Sequence, residues 1–155
     1  MANWKFEGIN DYLAQLERLK AETGPAIGRA IYEGAGIVAR EVASEIQKLP
    51  VSNQYNKDGI TSTQKKGLIE GFGISHAQTD GFYRNVKLGF DGYNGQKTHQ
   101  YPQGQPNSLI ARSINSGSSY RKKDPFVDRA TKRSKKSCEV RMSEVFEQEI
   151  VKITL

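Results

Sequence analysis

Apolar residues recur at every third or fourth position through most of the first fifty residues and again through the last thirty. That is the period of an amphipathic helix. Ile9, Tyr12, Leu13, Leu16 and Leu19 predict a first helix over residues 9–23, with Asn10 or Asp11 as its cap. Gly24-Pro25 predicts a break, glycine closing one helix and proline opening the next. A second helix over residues 25–48 carries Ile27, Ile31, Ala35, Val38, Val42 and Ile46 as one stripe, with Ala30 and Ala39 beside it. Gly28, Gly34 and Gly36 lie along this helix, either to admit a close neighbour or as local weak points. Leu49-Pro50 ends it.

Residues 51–66 are polar and predict a long surface loop, with a short helical turn at 65–70. Two strands are expected next, over 71–78 and 81–90, separated by Thr79-Asp80 and signalled by Asp80-Gly81. Val86, Leu88 and Phe90 alternate with Lys87 and Gly89, the pattern of a half-buried antiparallel strand. Residues 91–106 are rich in Gly, Pro, Asn and Gln and predict a second long loop. Asn107-Ser108 reads as the cap of a short helix through Leu109, Ile110, Ser113 and Ile114, closed by Gly117. Asp124-Pro125 reads as N-cap and first residue of a last helix reaching about Lys152. Its apolar face holds Phe126, Ala130, Ser134, Cys138, Met142, Val145 and Phe146.

The expected fold is therefore α+β within one domain of residues 1–155. It has two N-terminal helices, a small antiparallel hairpin sheet, a short helix and a long C-terminal helix. The helices are expected on one face of the sheet, the last resting its apolar side on the ribbon.

Charge adds one local feature. The net charge is +6, and residues 118–137 alone account for it. Arg121, Lys122, Lys123, Arg129, Lys132, Arg133, Lys135 and Lys136 stand there against Asp124 and Asp128. Positions 129, 132, 133 and 136 fall on one side of the predicted helix, away from Phe126, Ala130 and Ser134. This patch suits a solvated or protein-facing surface, or sequence-independent contact with nucleic acid. Tyr120 is the only aromatic next to it apart from Phe126, which does not make a base-stacking platform.

Candidate chemistry is sparse. His76 is placed in a strand and His99 in a polar loop, neither at metal-ligand spacing from a carboxylate or thiol. Cys138, the single cysteine, lies on the apolar side of the last helix and reads as an inert buried thiol. One thiol makes no internal disulfide, which points to a reducing compartment. The Gly-x-x-x-Gly at 67–71 carries little meaning in a chain of this composition. No phosphate-binding glycine loop, G-x-S-x-G or H-E-x-x-H occurs. The expectation is a non-enzymatic protein without metal or cofactor. The first residues, Met-Ala-Asn-Trp-Lys-Phe-Glu, lack the apolar core of a signal peptide, and no apolar run reaches membrane-spanning length. A protein made in the cytosol is expected.

Three segments carry a resemblance. Leu49-Pro50-Val51 closes a long amphipathic helix. Ile110 to Ser118 reads Ile-Ala-Arg-Ser-Ile-Asn-Ser-Gly-Ser. Asp124 to Ala130 reads Asp-Pro-Phe-Val-Asp-Arg-Ala. In order and spacing these resemble the tail-component (tail-completion or neck) proteins of long-tailed bacteriophages and related prophages, the family similar to the lambda minor tail protein Z. The chain departs from that pattern at three points. A polar loop replaces the family's Thr-Gly after Pro-Val, Arg129 stands where proline is common, and the 91–106 loop is long. The resemblance implies a virion protein, assembled in the host cytoplasm, that joins or completes the tail at the head–tail interface. Its partners would be other copies in a ring, and neighbouring connector, tail-terminator and tail-tube proteins. Passing double-stranded DNA is a further contact, and no membrane is involved. Within this reading Pro125, Phe126 and Ala130 dock the last helix, while Ile110, Ile114 and Gly117 position the turn before it.

Overall fold

The computed structural model describes residues 9–52, 59–80 and 83–154, with backbone alone at 9–12, 80 and 83. In chain order it forms α1 (Ile9–Lys48), α2 (Ser62–Gly71), β1 (Phe72–Ile74), β2 (Gln78–Asp80), β3 (Tyr83–Asn85), β4 (Leu88–Phe90), α3 (Asn107–Ser116) and α4 (Phe126–Thr154). Two helices precede the strands, as expected, but the division between them lies elsewhere. The chain runs through Gly24-Pro25 as one 40-residue helix. Pro25 removes one backbone hydrogen bond and crowds the carbonyl of Ala21. Its ring is on the exposed side, however, and Ala26, Gly28 and Ala30 beside it are buried. Packing of this segment outweighs the local propensity to break.

The second helix is α2, which begins inside the stretch expected as loop. Thr61 caps it through a reciprocal box: its hydroxyl accepts from Gln64 N, and Gln64 Oε1 accepts from Thr61 N, both at 3.1 Å. This box satisfies two of the amide donors that a helix start leaves open. The polar loop is thereby shortened, and its residues 53–58 lie outside the described ones. Its ends meet in a parallel bridge between Val51 and Ile60.

The four strands form two small two-stranded antiparallel sheets that succeed each other along one ribbon, where a single sheet was expected. β1 pairs with β4 (Phe72 opposite Phe90), and β2 with β3 (Gln78 opposite Asn85, Asp80 opposite Tyr83). Thr79 and Asp80 are thus ladder residues and do not separate the strands as expected; residues 81–82 lie outside the described ones. Between the two ladders, residues 75–77 oppose 86–87, so the strands fall out of register there. Ser75 spans the gap: its amide donates to Lys87 O and its hydroxyl accepts from Lys87 N, both at 2.8 Å. His76 sits in this gap, exposed, instead of within a strand.

The dominant contact is α1 against α4, antiparallel, since Glu45 meets Arg129 and Arg29 meets Glu149. The seam on α1 is made of Ala26, Ala30, Gly34, Val38, Val42 and Ile46, every fourth residue. In its first half it uses small residues where the isoleucine stripe was expected, and Ile27 is left exposed. Gly34 shows why: a Cβ there would overlap the Met142 side chain and crowd Cys138 Sγ at 3.1 Å. Gly28 faces Ala77 of the ribbon, while Gly36 faces open space. The last helix therefore leans on α1, and touches the ribbon through Phe126, whose ring meets Phe90 edge-on at 6.3 Å.

The core gathers Val42, Ile46, Leu49, Ile60, Leu68, Ile110, Ala111, Ile114, Phe126 and Ala130. Each of the three segments on which the resemblance rests sends a residue into this one cluster. α3 ends at Gly117, whose φ of 78° is a left-handed conformation that glycine adopts without strain. Its start is Pro106, with no side-chain cap, and Asn107 inside the helix is used otherwise. At the head of α4, Asp124 does not cap. Val127 and Asp128 donate their amides to Asn115 Oδ1 at 3.1 and 3.3 Å, so a side chain of α3 caps α4. Asp124 is drawn away to Arg129 at 2.9 Å.

The long 91–106 loop is held by buried amides. Asn94 Oδ1 accepts from Gln96 N and Gln105 N, and Gln64 donates to Gln105 Oε1 at 2.9 Å. Asn107 Nδ2 donates to Asp91 O at 2.8 Å. Gly67 and Gly71 of the Gly-x-x-x-Gly make room for this loop: a Cβ on either would overlap Asn107.

Candidate interaction surface

Glu45 is the most buried ionised group of the described residues, 3% exposed, on the seam side of α1. Arg129 Nε donates to its Oε2 at 2.9 Å and Arg133 Nη1 to its Oε1 at 3.0 Å, from successive turns of α4. Lys48 stands at 3.7 Å. The bond from Arg129 holds the Glu45 carboxyl below its usual range, against the opposing pull of burial. Arg129 is shifted upward in turn by its bonds to Glu45 and then Asp124. Two cations on one buried carboxylate satisfy most of its lone pairs, which is what makes such burial tolerable.

This clip changes the reading of the basic patch. Arg129 and Arg133 are spent inside the molecule. Arg121 is half-buried, donates Nη1 to Ser113 Oγ at 2.8 Å, and has a buried Nε without a partner among the described residues. Burial lowers its pKa. The eight cations thus divide into three structural arginines and five lysines. Lys122, Lys123, Lys132, Lys135 and Lys136 are exposed and have no carboxylate within 4 Å among the described residues. The sequence could not make this division, because Glu45 lies 84 residues before Arg129.

The residues named for docking are placed as follows. Phe126 and Ala130 are fully buried, Ile110 and Ile114 nearly so, and Pro125 and Gly117 half-buried beside them. Pro125 precedes α4, and Arg129 N donates to its carbonyl at 2.9 Å.

Two concave regions were not legible in the sequence. One, of about 500 Å³, lies between α1, α4 and the ribbon, lined by Arg29, Tyr32, Glu33, His76, Arg84, Arg141 and Glu149 among others. Its charges are mostly paired across the helices: Arg29 with Glu149 at 2.8 Å and Arg141 with Glu33 at 3.5 Å. The bond from Arg29, with a lesser one from Lys152, holds the Glu149 carboxyl below its usual range. Arg84 lies over Gly24, where a Cβ would overlap its guanidinium. The other, of about 570 Å³, lies between α3, the 96–105 loop and the Tyr120-Arg121 turn, and includes His99, Tyr101 and Gln64. Neither sets a nucleophile beside a base. His76 and Cys138 lie in separate places. Burial, and then the charge of Glu139, push the Cys138 thiol up, which disfavours thiolate. Among the described residues no three His, Cys, Asp or Glu side chains are grouped to hold a metal. No described helix is long and apolar enough to cross a membrane.

Over residues 13–18 every side chain of α1 is exposed. Leu13 and Leu16 are 50% and 41% exposed and prolong the helical stripe that is buried further along. Comparisons with protein-family models, curated proteins and solved structures find no match for the chain.

Proposed function

We propose that the chain is a structural assembly subunit of the kind its motifs resemble. It would join or complete the tail at the head–tail interface of a long-tailed phage or prophage, through protein contacts and without catalysis. The supporting observation is the exposure of the early turns of α1. With Leu13 and Leu16 in solvent, these turns expose apolar surface that a neighbouring subunit would cover. The convergence of the Leu49, Ile110–Ser118 and Asp124–Ala130 segments on one core adds weight, since a shared core is what an ordered set of short motifs would encode. Contacts of differing patches between copies would build a ring, set among connector, terminator and tube proteins in a virion assembled in the host cytoplasm.

The test is genetic and structural together. Particles made without this chain should accumulate as separated heads and tails, and a map of complete particles should place it at their junction. Normal particles in its absence would overturn the reading.

One observation favours a second reading, sequence-independent nucleic-acid binding: five exposed lysines without carboxylate partners among the described residues. Duplex affinity that falls steeply with salt, and falls again in a Lys132, Lys135 and Lys136 to Ala variant, would support it. Negligible duplex binding at physiological salt would exclude it.

A further inference from the structure

The outward face of α4 carries opposite charges on its two halves. Lys132, Lys136, Val140, Glu144, Glu147 and Val151 follow one another at intervals of four or three, so they form a single stripe. All six are exposed, and Val140 and Val151 are 49% and 53% open to solvent. Lys132, Lys136 and Glu147 have no ion pair among the described residues, and Glu144 has only a long one, to Arg141 at 3.7 Å. Glu144, Glu147 and Val151 line a shallow hollow along the helix. Basic turns, an apolar middle and acidic turns thus succeed one another on a face that no part of this chain covers among the described residues.

We propose that this face binds a second copy of the same chain, α4 against α4, antiparallel about a two-fold axis. A stripe that is positive at one end and negative at the other is complementary to itself only when reversed. With the axis midway between residues 141 and 142, Lys136 lies opposite Glu147 of the second copy, and Glu147 opposite its Lys136. At 1.5 Å per residue both positions are about 8 Å from the axis. The two Val140 side chains then flank the centre, each about 2 Å along the helix from it, and Lys132 lies opposite Val151. A parallel pairing would set lysine on lysine and glutamate on glutamate, which like-charge repulsion opposes. The contact runs about 29 Å along each helix and is narrow. It belongs at the small end of specific interfaces, below roughly 1,200 Å² in total, so the pair is a weak, reversible one. Being isologous, it uses the face in both partners and stops at two. It does not depend on the phage reading, and would hold equally for a chain of another function.

Charge-exchanged variants of the full chain test it. Lys136→Glu places two glutamates opposite each other twice in a pair. Glu147→Lys does the same with lysines. Both positions are exposed, so folding, checked by circular dichroism, should be unchanged. Sedimentation velocity from about 10 to about 500 μM at low salt should show the native chain moving toward twice its monomer mass. Each variant alone should associate at least tenfold more weakly. An equimolar mixture of the two variants should recover pairing, because each of the two contacts between unlike copies then sets one carboxylate against one ammonium again. As a second measurement, Val140→Cys in a Cys138→Ser background should form an interchain disulfide on mild oxidation, and Ser44→Cys on α1 should not. A native chain that stays monomeric throughout, a mixture no stronger than its components, or equal cross-linking at positions 140 and 44 would each overturn the proposal.

Discussion

Glu45 and Arg129, 84 residues apart in the chain, meet at 2.9 Å with the carboxylate residue only 3% exposed. The relationship ties α1 to α4: Glu45 has Lys48 on its own helix only at 3.7 Å, and Arg129 divides its guanidinium between Glu45 and Asp124. Removing the cation leaves a buried anion with Arg133 at 3.0 Å and Lys48 at 3.7 Å. Breaking a buried pair costs roughly 3–5 kcal/mol. Arg129 is half-exposed and Arg133 remains, so Arg129→Ala should cost about 2–3 kcal/mol. Urea unfolding monitored by circular dichroism checks this, and a loss under about 0.5 kcal/mol would make the clip ornamental.

Acid should open the same clip. The folded carboxyl of Glu45 titrates below its ordinary value of 4.5, chiefly because Arg129 donates to it. Its contribution is therefore complete above the unfolded value and is lost as pH falls through the lower folded one. Thermal midpoints of the native chain and of Glu45→Gln should differ most near neutrality and draw together as pH falls below 4.5. Glu149, lowered by Arg29, acts in the same direction and keeps some acid sensitivity in the variant. A difference that does not change with pH would show that Glu45 is not acting as an anion.

Phe126 joins the first turn of α4 to the ribbon through Phe90 and to α3 through the shared core. Its side chain is wholly buried. Phe126→Ala should cost roughly 3–5 kcal/mol, from lost burial and the cavity left behind. The exposed neighbour Val140→Ala should cost under about 0.5 kcal/mol in dilute solution. Equal losses at the two positions would mean that the start of α4 is not anchored.

What was legible in the sequence was whatever rests on short-range periodicity. The long amphipathic helices, the alternation of Val86, Leu88 and Phe90, and the stop at Gly117 depend on neighbours within a turn or a pleat. What was missed depends on distant partners. Gly24-Pro25 is a valid local break that packing of Ala26 and Ala30 overrides. Asp124 is a valid local cap that loses to Arg129, while Asn115 supplies the cap from another helix. The basic segment was visible as charge. Only the fold separates the arginines bound to Glu45 and Ser113 from the lysines left in solvent. One signal was overlooked: Thr61-x-x-Gln64 is a capping box readable from residue types alone, and it would have placed the start of α2.

Pro25 supplies the last prediction, which concerns motion. It stands between the exposed early turns of α1 and the part packed on α4. Alanine there restores a donor for the Ala21 carbonyl and removes the ring's crowding, a change of about 3 kcal/mol in a helix interior. Part of that is returned, by up to about 1 kcal/mol, because alanine frees the unfolded chain. The net gain of roughly 2 kcal/mol counts against opening of the helix around residue 25 and against global unfolding alike, since both break it there. Hydrogen exchange should therefore slow for amides at 21–28 in Pro25→Ala, by tenfold or more, and the urea midpoint should rise with it. Unchanged exchange there would mean that the proline costs α1 nothing, and that the helix passes through residue 25 without the strain its missing donor implies.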